Sequence, residues 1–179
     1  NGNFDIYLHR ISTDTQELIS ARPDGNASNG SAARPHVASG GRYVVFNTGA
    51  GDIVPGDTNQ EQDVFLRDTQ TNTTTRISVS SGGAQGNAAS LRGTISGDGR
   101  YVTFNSFAFN LVPGDTGIGD LFRRDLQTNK TIKISLDRFG GTANGQSFRP
   151  EISSDGNSVA FVSQATDLVA GDTSNGFEV

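Results

Sequence analysis

The chain has 179 residues, with 14 Lys and Arg against 19 Asp and Glu and a formal net charge of −5. That mild acidity gives no basis for expecting nucleic acid or an anionic membrane surface as partner, and no apolar run approaches bilayer-spanning length. Cysteine is absent, which removes disulfides, thiolate metal sites and cysteine nucleophiles together. There is no initiator Met and no signal-peptide pattern, the expectation for a mature form or an excised piece.

In chain order the apolar residues fall in short, alternating runs rich in β-branched and aromatic residues, which read as strands. Residues 1–33 hold two of them, "DIYLHR" and "QELISA". Residues 34–91 hold four: "RPHVAS", then "RYVVFN" after the turn "SGGR", then "DVFLRD" and "TTTRISVS". Residues 92–148 repeat the set as "RGTIS", "RYVTFN", "DLFRRD" and "TIKISL", and residues 149–179 give "RPEISS", "NSVAFV" and a final "GFEV". The Gly-Gly and Asp-Gly turns supply the positive φ that a tight hairpin needs. No helical periodicity is present.

These runs are one repeated unit. Asp57, Asp115 and Asp172 recur at intervals of 58 and 57 residues, in step with Arg34, Arg92 and Arg149 and with Phe46, Phe104 and Phe161. "DIYLHRISTDTQELIS" aligns with "DVFLRDTQTNTTTRIS" at the same spacing. Four antiparallel strands per unit, named a to d, describe the blade of an all-β propeller.

The phrases "ISSDGNSVAF" and "ISGDGRYVTF", followed by "DVFLRDTQTN" and "DLFRRDLQTN", resemble the TolB-type (WD-like) β-propeller repeat, and the resemblance runs through essentially the whole chain. Gly40 replaces the usual turn Asp, and Gly93 replaces the strand-a proline seen at Pro35 and Pro150. The resemblance implies a propeller that binds or scaffolds, in an exported bacterial protein of periplasmic or extracellular location. It carries no chemistry by itself.

The order of strands, c–d, then two a–b–c–d units, then a–b and the start of c, makes three blades with one divided between residues 1–33 and 149–179. Three blades do not close a ring. Two copies make six, so the expectation is a two-fold homodimer in which strands c and d of one copy complete the split blade of the other. The competing expectation is a piece of a longer propeller.

Two sets of residues recur as candidate sites. Asp57, Asn59 and Asp63, with Asp115, Asp120 and Asp172, form oxygen-rich b–c loops that would suit calcium. The alternative is that the first Asp caps its loop through backbone N–H groups and that Asp63, Asp120 and Glu178 open strand c. Asn29, Asn87 and Asn144 with Arg34, Arg92 and Arg149 precede each strand a and would ring the channel mouth, attracting a carboxylate, a sulfate or an acidic peptide terminus. Alternatively each Arg is a strut between blades. His36, Thr94 and Glu151 occupy one equivalent position that differs between blades, so His36 and Glu151 are candidates for facing a ligand. No catalytic or nucleotide-binding motif is present. The leading functional expectation is a non-catalytic binding module for a peptide, glycan or protein. The alternatives are a polysaccharide-active glycosidase or lyase, and a structural repeat of a larger surface protein.

Overall fold

The computed structural model describes residues 2–172, and these are strands and loops apart from a three-residue 3₁₀ turn at Ser39–Gly41. β1 (Tyr7–Arg10) and β2 (Thr15–Leu18) form an antiparallel pair. β3 (Ala32–Val37), β4 (Tyr43–Thr48), β5 (Asp63–Asp68) and β6 (Thr73–Arg76) form a four-stranded antiparallel sheet in chain order. β7 (Ser90–Ile95), β8 (Tyr101–Ser106), β9 (Asp120–Asp125) and β10 (Lys130–Lys133) form a second. β11 (Ser147–Ile152) and β12 (Val159–Ser163) form a separate two-stranded sheet. Two complete blades therefore stand between two half blades, a c–d half at one end of the arc and an a–b half at the other. The "GFEV" stretch and Glu178 lie outside the described residues.

Each strand a begins two residues before the expected Arg, at Ala32, Ser90 and Ser147. The Arg interrupts the pairing instead of starting it. The register of a against b shifts between Ala33 and His36, between Leu91 and Thr94, and between Phe148 and Glu151. Strand d is shorter than its sequence run, ending at Arg76 in the first blade. There the chain turns so that Ser78 Oγ can donate to Asp63 and accept from Val64 N.

A strand of period two has two faces, and here both are covered by neighbouring blades. Val44, Phe46 and Phe65 pack with Ile6 and Ile19 of the preceding half blade. The intervening Val45, Val64 and Leu66, with Ile77, pack with Val102, Phe104 and Phe122 of the following blade. In each full blade the aromatic residues of b and c stack across the strand pair, Phe46 on Phe65 at 5.9 Å and Phe104 on Phe122 at 5.7 Å, and all four are fully buried. Gly93 lacks the Cβ that would collide with Val45 and Val64, which explains why that position accepts glycine where the other blades carry proline.

Polar links join the blades as well. The buried Asn47 side chain donates to Asp63 O and Ser90 O and accepts from Arg92 N at 2.9 Å. Asn105 repeats the two donations, to Asp120 O and Ser147 O. At the opposite end of the channel the a–b turns are tied in series, Ser39 N to Gly97 O at 3.1 Å and Gly97 N to Ser154 O at 2.8 Å. Among the described residues, no helix is long and apolar enough to cross a membrane.

Asn47→Ala removes partners from buried backbone groups that water does not reach. The expected loss is about 1–3 kcal/mol of unfolding free energy, read by urea titration with the strand signal unchanged. A variant as stable as the parent would contradict the link.

Candidate functional site

The three strands a converge at the channel, and their bulges place one arginine from each at the same cavity. Arg34, Arg92 and Arg149 adopt positive φ of 57°, 56° and 53°, a left-handed conformation that costs a non-glycine residue of the order of 1–2 kcal/mol each. The cavity, of about 270 Å³ and open to solvent, is lined by these three side chains together with His36, Thr94 and Glu151. Among the described residues, none of the three guanidinium groups forms an ion pair. Burial, and then the positive charges of Arg34 and Arg149, hold Arg92 below its ordinary pKa. The strut expectation therefore lacks its carboxylates. The site is a cluster of mutually repelling cations whose field favours an anion.

The position that differs between blades joins successive strands a. His36 Nδ1 accepts from Ile95 N at 3.3 Å, and Thr94 Oγ1 donates to Pro150 O at 3.2 Å. An accepting Nδ1 belongs to an imidazole whose proton is on Nε2, so His36 has one nitrogen committed to structure. Glu151 is exposed, paired through its backbone with Ala160, and its side chain has no hydrogen bond or ion pair among the described residues.

The asparagines expected beside the arginines lie elsewhere. Asn29 N donates to Asp52, Asn87 exchanges bonds with Asn110 and Phe109, and Asn144 N donates to Asp167. Each pins its d–a loop to the neighbouring b–c loop, and none lines the cavity.

The b–c loops are braces. Asp57 lies 3.1 Å from Arg76 Nη2 in an ion pair and accepts from Gln85 Nε2 at 2.9 Å, and Arg76 Nε lies 3.5 Å from Asp63. Asn59 turns its amide nitrogen to Asp63 at 3.1 Å. In the next blade Lys133 Nζ spans Asp115 at 3.0 Å and Asp120 at 2.6 Å. Calcium does not fit these residues: the cation between the carboxylates is a protein side chain, and the amides present N–H groups where a calcium ion requires oxygens. Asp172, the third relative, lines a groove beside β12. Arg76 and Lys133 are the functional residues that the sequence reading missed, although both are basic and lie 57 residues apart on strand d.

Asp63 is fully buried, and burial raises its carboxyl pKa, outweighing the lowering by Ser78 and Arg76. The folded state thus holds this proton to a higher pH than the unfolded chain, whose carboxyl titrates near ~3.9. Its contribution to stability is greatest below that value and falls as pH rises through the raised one. Arg76→Leu, which copies Leu18 of the first half blade, removes the compensating charge. The variant should lose about 3–5 kcal/mol at neutral pH and distinctly less at pH near 4. Equal losses at both pH values, by urea titration, would refute the brace.

No protein-family model and no curated protein sequence matches the chain. Solved structures do match. The TolB from Agrobacterium tumefaciens superposes with a TM-score of 0.57 at 22% identity, over 96% of this chain and 49% of that one. The TolB from Acinetobacter baumannii gives 0.54 at 18%, over 92% and 35%. The tricorn protease gives 0.59 at 14%, over 90% and 13%. The chain thus spans less than half the length of each of these proteins, and at these identities the likeness is one of fold. The blades, their order and these neighbours together identify the fold as a β-propeller, similar to that of the two TolB structures.

Proposed function

We propose that the chain is a non-catalytic interaction module whose channel mouth receives an anionic group, a carboxylate or sulfate, presented by a partner peptide, glycan or protein. The observation that carries this reading is the convergence of Arg34, Arg92 and Arg149, each held at positive φ, on one cavity, with none of the three in an ion pair among the described residues. Strain repeated at the same position in three blades and aimed at a common space is what a preorganised binding site requires. Guanidinium forks match planar oxyanions, and the cavity holds only one carboxylate, Glu151. Glycoside hydrolysis uses two, so the enzyme reading has the weaker support. An extracytoplasmic location, periplasmic or secreted, belongs to the same proposal and rests on the resemblance to TolB-type propellers.

Calorimetric titration with citrate and with inorganic sulfate tests the site. Saturable binding is expected, weakened about tenfold or more by Arg92→Gln and weakened by added salt. Binding that is indifferent to Arg92→Gln would overturn the reading.

A further inference from the structure

The cation that braces the b–c loop is arginine in the first full blade and lysine in the second, and the change alters what the site can do. Lys133 Nζ lies 3.0 Å from Asp115 Oδ1 and 2.6 Å from Asp120 Oδ2, with Thr142 Oγ1 at 3.5 Å. Both carboxylate side chains are closed to solvent, and that of Lys133 is 7% exposed. Across the strand pair Lys133 stands opposite the fully buried Phe122, so its aliphatic stem runs beside an apolar ring.

Two differences from the first blade tighten this contact. There Asn59 Nδ2 donates to Asp63, and Gln85 Nε2 donates to both Asp57 and Asp63. The same repeat positions in the second blade are Gly117 and Thr142, which bring no amide. The carboxyl groups of Asp115 and Asp120 meet each other instead, and Asp115 Oδ2 is buried without a hydrogen-bond donor. An acceptor left in that way is costly, and one proton held between the two carboxyls relieves it. Burial raises the Asp120 carboxyl pKa, and the Asp115 side chain adds to the rise, against lowering by Lys133 and Ser135. A guanidinium, delocalised and always charged, could only pair with such a site; a lysine amine can give up its proton there and react.

We propose that Lys133 and Asp115 condense to an isopeptide bond, with Asp120 as the proton carrier. The shared proton rests on Asp115, which becomes a neutral acid, while Asp120 takes a proton from the Nζ ammonium across 2.6 Å. The free amine then attacks Asp115 Cγ. The N–C bond forms and one C–O bond of Asp115 breaks. That oxygen leaves as water, with its own hydrogen and one from Nζ relayed through Asp120. Nζ keeps one hydrogen in the amide, Asp120 ends protonated, and no oxidant, reductant or activating group is consumed. Fixed proximity supplies the effective concentration, and exclusion of water opposes hydrolysis.

Asp115 is the electrophile because its loop can follow the bond inward: Gly114 and Gly117, both at positive φ, lie on either side of it. Asp120 opens β9 and is held by Ser135 Oγ at 2.8 Å. The bond ties the loop between β8 and β9 to the end of β10, in a chain that has no cysteine for a disulfide. The inference stands on this triad and does not depend on anion binding at the arginine cavity.

Intact mass spectrometry of the purified, denatured chain should read one water molecule below the sequence mass. Tryptic mapping should give a branched peptide joining Asp115 to Lys133, uncut after Lys133. Lys133→Arg, which copies Arg76 of the first blade, should fold and keep the full mass. Asp120→Ala should also keep the full mass, although both bond partners remain. Asp115→Asn should condense with loss of ammonia in place of water. A parent chain at full mass after prolonged incubation under native conditions would overturn the inference. So would a branch point at Asp120, or a water loss that survives Lys133→Arg, which belongs to succinimide formation at an Asp-Gly step such as Asp98 and Gly99.

Discussion

The structure depends on one packing constraint: a blade strand has two apolar faces, and each must be covered by a different neighbour. Val44 and Phe46 point back to Ile6 and Ile19, while Val45 points forward to the cluster around Phe104. A single blade meets neither demand, and a blade at the end of an arc meets only one. Burial of each large apolar side chain contributes roughly 1.5–3 kcal/mol, so an uncovered face forfeits a large part of the margin by which a domain stays folded. The exposure of Tyr7 beside the complete burial of Phe65 and Phe122 states the same constraint at one repeat position.

The arginine-lined cavity is a by-product of the way strands a leave this packing. Each shifts register against strand b, and within that shift an arginine at positive φ lines the cavity. Asn47 helps to hold that geometry in the second blade by accepting from Arg92 N. The residue that builds the inter-blade contact and one member of the cation cluster are therefore in direct contact, although 45 residues apart in sequence. Substitution at one would be felt at the other.

Much of this was legible in the sequence because repetition amplifies weak signals. A phenylalanine at 46 says little, but phenylalanines at 46, 104 and 161, flanked by the same turns, fix strand b in each unit. The convergence of the arginines with His36 and Glu151 was readable for the same reason. The roles of Asn29, Asn87 and Asn144 were not, because their nearness to the arginines in sequence concealed a loop-to-loop latch that forms only when the b–c loop returns to the same face. The ion pairs of the carboxylate loops were not legible because Arg76 and Lys133 lie on another strand, and their charges enter the loops only after the sheet has formed.

Amide hydrogen exchange resolved along the chain tests the two-face constraint most directly. The account predicts that the amides of Asp63–Asp68 and Asp120–Asp125, in strands covered on both faces, are the most protected of the chain. Exchange at β5 and β9 as fast as at the half-exposed β1 would contradict it.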